Sequence, residues 1–555
     1  MDTPPFSVKR LGLILALTIA SSSNVWAVLP SNTLADVVAT MQPGSWAKVN
    51  LNTFESVWTP QADRVGDNIS GIIRAWSGAA WDSNRGDLIV YGGGHANYAG
   101  NDVYVWHGSN LQWQRASLPT KLMPPETVTN YGTVWYTLDN GITPQAAHTY
   151  DNNIFLPKLD KFLTFGGFTY SSGGAPYLRK DANGNPVVTG PYLFDPAKAD
   201  GTKVGGADGT GVNPARLGGN MWQNRDVAGT KIAGGYGEGM ASVTQENGQD
   251  VVYVIAGIVN TYGNGLFRYV INDIANPSAD GWTQVGSPHW TTITAQGAAA
   301  IDPVNKLFVR TGVHSFPIYQ KGNLNFDFFY WNLNTAAPNN AERSFNVVDN
   351  TGGLFDAAAI REVGLQYDPI GQRFLLWGGG TTIFTLTHTG IDFDTGWTLG
   401  VDNSLVSGGP GGTTLVYDYI APDNGILGKW DYAADYGVYV GLKDAVNGEI
   451  WVYKPSNYVM PDADGDGVAD RGDNCKLVAN ANQRDTDGDG YGNICDPDFN
   501  GNKVVDPLDL NALKTQFGKN AQDQDLNGNG IVDPVDLNIL KSYFGKAPGP
   551  SGLKP

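Results

Sequence analysis

Between Ala80 and Tyr453 short apolar runs alternate with polar, glycine-rich turns, and the same order of features returns near Ala80–Trp113, Ile154–Phe194, Val243–Trp282, Ala300–Trp331, Leu365–Trp397 and Trp430–Tyr453. Each unit opens on an apolar run that often closes with an aromatic residue and an aspartate, as in Trp81-Asp82, Tyr367-Asp368 and Trp430-Asp431. A turn and a second short strand follow, such as Leu88–Tyr91, Phe162–Phe165 or Phe374–Trp377. Glycine comes next (Gly92-Gly93-Gly94, Gly166-Gly167, Gly378-Gly379-Gly380), then a third strand such as Asp102–Trp106 or Glu449–Tyr453. Units of roughly 50–80 residues with four short strands apiece predict the blades of an all-β propeller. Six blades are expected, and the glycine-rich interval Gly201–Gly235 has room for a seventh. The last unit lacks an outer strand, and Ser45–Leu51 is expected to supply it from the N-terminal side.

After Lys454 and Pro455 the periodicity stops and Asp, Asn and Gly take over. Asp462, Asp464 and Asp466 alternate with small residues and lead through Asp470 to Asp473; Asp485, Asp487 and Asp489 form a second such run, which ends at Asp496. Carboxylates alternating with glycine wrap hard oxygen ligands around calcium. Two more loops, DFNGNKVVDPLD and DLNGNGIVDPVD, follow the EF-hand-like spacing of ligands. The first offers Asp498, Asn500, Asn502, the Val504 carbonyl, Asp506 and Asp509. The second offers Asp525, Asn527, Asn529, the Ile531 carbonyl, Asp533 and Asp536. Each leads into a short amphipathic helix, one carrying Leu510, Leu513 and Phe517, the other Leu537, Leu540 and Phe544. The expected organisation is a propeller over 28–456, a calcium repeat over 461–496, a helical calcium module over 497–547 and a disordered tail over 548–555.

Composition refines this picture at three points. Lys9 and Arg10 precede the apolar stretch Leu11–Ala20, and Val25-Trp26-Ala27 puts small residues where a signal peptidase cuts, so 1–27 reads as a secretory signal and the mature chain as extracellular. No later segment has the run of apolar residues that a membrane-spanning helix needs. The net charge of −18 argues against a nucleic-acid partner, and residues 456–555 carry a large part of it, with 16 Asp against 9 Lys plus Arg.

The six units resemble the kelch repeat and the central domain of the galactose oxidase family. That resemblance implies that the loop after each second strand and the start of each innermost strand share one face of the ring. Aligned by their glycines, the units bring Arg74, His148, Glu238, Gln296, Arg361 and Asp423 to comparable positions around the central channel. His95 lies in the first of these loops with Asn97, Tyr98 and Asn101, and His314 lies in the equivalent loop of the fourth unit. The candidate catalytic set is His95, His148, Tyr150, Arg74 and Arg361, with Asn97, Tyr98, Asn101, Glu238, Gln296 and His314 as substrate contacts. Histidine, tyrosine and arginine together can take a proton and stabilise an oxyanion. The competing reading is that these histidines tie loops together. Tyr98, Tyr170, Tyr177 and Tyr262 are the loop tyrosines placed to stack on a sugar. Copper-radical chemistry of the galactose oxidase kind needs a tyrosine cross-linked to cysteine, and the propeller units contain no cysteine.

The run DNCKLVANANQRDTDGDGYGNICD resembles a thrombospondin type 3 repeat, which implies calcium and a Cys475–Cys495 disulfide. The duplicated loop and helix resemble a type I dockerin, which implies calcium and a cohesin partner. Positions ten and eleven of its loops, where such partners are bound, are Pro507-Leu508 and Pro534-Val535. Together these modules imply a polysaccharide or another glycan as the ligand. The first expectation is a secreted polysaccharide lyase that works by β-elimination on a uronate-containing chain. The alternative is a non-catalytic glycan-binding or adhesion propeller, with a glycoside hydrolase acting through Glu238 and Asp423 behind both.

Overall fold

The computed structural model describes residues 33–553 apart from 67, 95–96, 130–131, 140, 171–176, 189, 207–213, 226–238, 257–264, 288–296, 313–327, 337–338, 356–359, 361, 403–407 and 412–424. The expected signal segment therefore lies outside the described residues. Six antiparallel sheets form the body. Blade one is Gly78–Asp82, Asp87–Tyr91, Tyr104–His107 and Gln112–Arg115; blade two is Asn153–Leu156, Lys161–Thr164, Tyr192–Phe194 and Trp222–Asn224. Blade three is Ala241–Glu246, Gln249–Ala256, Gly265–Val270 and Gly281–Gly286; blade four is Ala299–Asp302, Leu307–Thr311, Phe328–Asn332 and Arg343–Phe345. Blade five is Gly364–Asp368, Arg373–Trp377, Ile383–His388 and Trp397–Val401, extended by Val347–Asp349, which pairs in parallel with its outer strand.

Blade six combines Trp430–Ala433, Val438–Lys443 and Glu449–Lys454 with the N-terminal strand Ser45–Lys48. Ser45 pairs with Lys454 and Lys48 with Trp451, so the first strand of the chain closes the ring as the sequence leads one to expect. Trp46 anchors it. Its indole is buried against Trp377, Trp430 and Tyr453, and its N–H donates to the Thr381 carbonyl at 2.8 Å. The inner strands touch in chain order around the ring, and blade one meets blade six. Among the described residues the interval Gly201–Gly235 forms no seventh blade. That interval instead delivers Trp222–Asn224 as the missing outer strand of blade two.

The aspartate that ends three of the inner strands has a local cause, whereas Asp431, expected in the same place, lies inside the strand Trp430–Ala433. Asp82, Asp302 and Asp368 each end an inner strand and accept backbone N–H bonds at 2.9–3.1 Å from residues two and three further on, which fixes the turn into the second strand. The glycines serve contact between blades. A Cβ on Gly441 would lie 2.4 Å from the Trp377 ring of the neighbouring blade.

Below the blades the tail packs back on the propeller. Arg471 pairs with Asp435 at 2.9 Å and donates to the Asn84 carbonyl at 3.1 Å. The Cys475–Cys495 disulfide is formed and buried. Helices Pro507–Thr515 and Pro534–Tyr543 face each other across Val505, Leu513, Leu526, Val532 and Leu540. Phe517 and Phe544, expected with those helices, are largely exposed. Residues 548–553, in the stretch expected to be disordered, pack against the acidic repeat over 461–496. There Gly552 donates to the Asp473 carbonyl at 2.7 Å and Ser551 to that of Gly490 at 2.6 Å.

Candidate functional site

The glycine loop after the second strand of blade one and the strand before blade two build one cluster. Gly94 has φ +64°, and a Cβ there would sit 2.4 Å from the Ala147 Cα, so only glycine lets this loop lie on the strand Ala147–His148. That strand pairs antiparallel with Phe168–Thr169, His148 opposite Phe168. On the other side the helical turn Gly71–Arg74 is anchored by the buried Ile72 and Ile73, and it packs so closely that a Cβ on Gly71 would touch Asn97 and Tyr98 at 3.2 Å. Buried Lys429 of blade six donates to the Ile73 carbonyl at 3.1 Å and ties this turn to the ring.

Three side chains then line up. Arg74 Nη2 donates to Asn97 Oδ1 at 3.3 Å, and Asn97 Nδ2 lies 3.1 Å from His148 Nε2. A guanidinium only donates, so the amide oxygen must face Arg74 and the amide nitrogen must face the histidine. His148 Nε2 is therefore the acceptor, and the ring proton sits on Nδ1. Arg74 Nε is buried without a hydrogen-bond partner, and no carboxylate among the described residues pairs with this guanidinium. A half-buried arginine without a counter-ion is costly, and an anionic ligand would relieve it.

Backbone strain gathers at the same place. Trp76, Tyr150 and Leu427 all have positive φ (44°, 47° and 52°) just ahead of the inner strands of blades one, two and six, and their side chains pack together. Left-handed backbone in bulky residues concentrates at functional sites. The Trp76 ring lies 5.0 Å from His148 and the Tyr150 ring 5.9 Å from it. Trp76 and Lys429 were not singled out by the sequence. Their one signal is that each stands just before an inner strand, where the other units carry the selected residues.

The remaining expectations divide. Arg74, Asn97, His148 and Tyr150 come together. Asn101 is buried, with its amide donating to the Pro144 carbonyl and accepting from Thr120 N, both at 2.8 Å, so it braces two loops instead of meeting a ligand. Tyr98 and Tyr177 are buried too and offer no ring face for stacking. Tyr170 is half-buried. His95, Glu238, Tyr262, Gln296, His314, Arg361 and Asp423 lie outside the described residues.

The calcium loops fit a hard cation. One carboxylate oxygen from each of Asp462, Asp464 and Asp466 falls within 4.8 Å of the others, and Asp485, Asp487 and Asp489 repeat the arrangement. Asp464 Oδ2 is buried without a partner. Asp470 accepts from Ala463 N and Asp473 from Cys475 N, each through one carboxylate oxygen at 2.8 Å. Asp496 accepts from Asp498 N at 3.1 Å, and burial pushes its carboxyl up to about 8. In the two helical loops Asp498 and Asp525 gather backbone N–H groups of their own loops, while Asp506 with Asp509 and Asp533 with Asp536 form capping boxes on the helices. Asp509 and Asp536 are wholly buried among other acids, a placement that a bound cation stabilises.

Among the described residues no helix is long and apolar enough to cross a membrane. No curated protein sequence matches the chain. Among solved structures, a type II cohesin-dockerin domain from Bacteroides cellolosolvens is 39% identical over 9% of this chain and 85% of its own, with a TM-score of 0.09. An α-L-arabinanase of Penicillium chrysogenum matches 73% of this chain and 96% of its own at 13% identity and a TM-score of 0.35. An α-L-arabinofuranosidase of Fusarium graminearum matches 72% and 97% at 12% identity, also at 0.35. The tail is specific: residues 496–545 match the family described as Dockerin type I domain.

Proposed function

We propose that the protein is an extracellular carbohydrate-active enzyme whose propeller acts on a uronate-containing polysaccharide by β-elimination, and whose dockerin attaches it through calcium-dependent binding to a cohesin. The observation that carries this reading is the line Arg74–Asn97–His148: a guanidinium with no carboxylate partner among the described residues, joined through one amide to an imidazole with an unprotonated nitrogen. Arg74 would pair with the uronate carboxylate and stabilise the negative charge that develops beside it. His148 Nε2, once Asn97 gives way to substrate, would take the proton next to that carboxylate. The glycosidic oxygen leaves with a proton from Tyr150, His95 or water, and Arg361 would share the carboxylate.

The test is turnover by the full-length protein on alginate, polygalacturonate and glucuronan, following both the absorbance of the unsaturated product and new reducing ends. Absorbance is expected, and His148→Ala should lower it by about 10²–10⁴-fold, the usual contribution of a positioned acid–base group. Reducing ends without absorbance would replace elimination by hydrolysis. Neither signal, with binding retained, would leave a glycan-binding platform.

A further inference from the structure

Beside the cluster stands a pair of aromatic rings that the reaction does not use. Trp135 follows the strand Gly132–Val134 of a hairpin inserted between blades one and two. Its neighbours Val134 and Tyr136 are buried together with Leu178, so the alternation of an extended chain turns Trp135 to the opposite, open side. Tyr170 continues the strand Phe168–Thr169, and its N–H donates to the Ala146 carbonyl at 3.0 Å. Because Phe168 is opposite His148, Tyr170 is opposite Ala146, two residues along. Residues two apart share a face, so Tyr170 and His148 lie on the same side of the ribbon as diagonal neighbours, about 7–8 Å apart at the backbone.

The Trp135 and Tyr170 rings meet at 5.9 Å and 61°, forming an open corner, and both are half-buried. Neither the indole N–H nor the phenol makes a hydrogen bond among the described residues. An aromatic corner with an apolar face and free polar tips suits a sugar ring, which presents C–H groups on its faces and hydroxyls around its rim.

We propose that Trp135 and Tyr170 form a sugar-stacking subsite that holds the unit of the polysaccharide next to the one presented to His148. The proposal rests on the reading above for the location of the reacting centre, but not for the chemistry performed there. It assigns a role to the inserted hairpin, whose second strand leads directly into Trp135.

The experiment is affinity electrophoresis of the full-length protein through gels containing alginate, polygalacturonate, arabinan or xylan, with wild type, Trp135→Ala, Tyr170→Ala, Tyr170→Phe and Arg74→Ala. At least one polysaccharide should retard the wild type. Both alanine variants should weaken that retardation by tenfold or more, Tyr170→Phe should keep most of it, and melting temperatures should stay within a degree or two because both rings are partly exposed. Retardation by a neutral glycan that needs Trp135 and Tyr170 but not Arg74 would sustain the subsite while sinking the uronate reading. Retardation unchanged in both alanine variants, or no retardation of the wild type by any gel, would overturn the subsite.

Discussion

The two dockerin loops differ at one backbone position, and the difference sets their relative grip on calcium. Lys503 of the first loop has φ +69°, and Gly530 of the second has φ +94°. Both amides point inward in the same way, Lys503 N to Asp498 Oδ2 at 2.6 Å and Gly530 N to Asp525 Oδ2 at 2.8 Å. The left-handed conformation costs a residue with a Cβ about 1–2 kcal/mol. Glycine in its place loses roughly 0.5–1 kcal/mol more chain entropy on folding. Lys503→Gly should therefore favour the folded loop by about 0.5–1 kcal/mol. Loop folding is coupled to calcium binding, so the first site should tighten by roughly 2–5-fold. The reverse change, Gly530→Lys, meets no atom within 4 Å of a new Cβ, so it tests the backbone term without a clash. By the same balance of strain against chain entropy it should weaken the second site by roughly 2–5-fold. Equilibrium dialysis of the full-length protein in calcium buffers reads both effects, the first loop being the binding step that Asp498→Ala removes. If that step were unmoved or weaker in Lys503→Gly, the strain argument would fail.

Two further outcomes concern the propeller. Trp46→Ala removes the anchor of the closing strand and should cost about 3–5 kcal/mol; at roughly 2 cal/mol/K per residue the propeller transition in calorimetry should fall by ~4–6 °C, and an unchanged transition would mean that the strand does not hold the ring. Asp431 lies between the inner strands of blades five and six, where Gln366 reaches it at 3.3 Å and burial pushes its carboxyl up to about 8. The folded protein then binds this proton more tightly than the unfolded chain does, so stability falls as pH rises from the ordinary carboxylate range to about 8. Asp431→Asn should flatten that slope and raise the melting temperature at pH 9; a variant that melts lower at pH 9 would show that the charge is wanted there.

The fold was legible because its signals are local. Apolar runs, aspartate turns and glycines mark each blade whatever the rest of the chain does, and Ser45–Lys48 could be assigned because one unit lacked a strand. Blade two was misjudged because its outer strand, Trp222–Asn224, returns only after long insertions, and sequence proximity is then no guide to pairing. The site was legible only in part. Asn97 and Asn101 are four residues apart in one polar loop, yet one bridges Arg74 to His148 and the other braces buried carbonyl and amide groups. Nothing in residue type separates an amide satisfied by the protein from one turned to a ligand. Nothing in the sequence sets Trp135 apart from the other tryptophans, because its outward orientation depends on the packing of its two neighbours.

Ring closure by the first strand has a consequence for the order of assembly. Lys48 and Glu449 meet across 401 residues, so the N-terminal strand of the ring waits for a partner made long after it. Bringing those ends together carries a chain-entropy cost on the order of 5 kcal/mol, which the indole of Trp46 and the strand pairing must outweigh. Until they do, the nascent chain holds an unpaired strand at one end and an open sheet edge at the other. A second chain can satisfy both just as well. At low concentration the protein closes on itself; crowded, the same two edges favour an exchange of strands between copies.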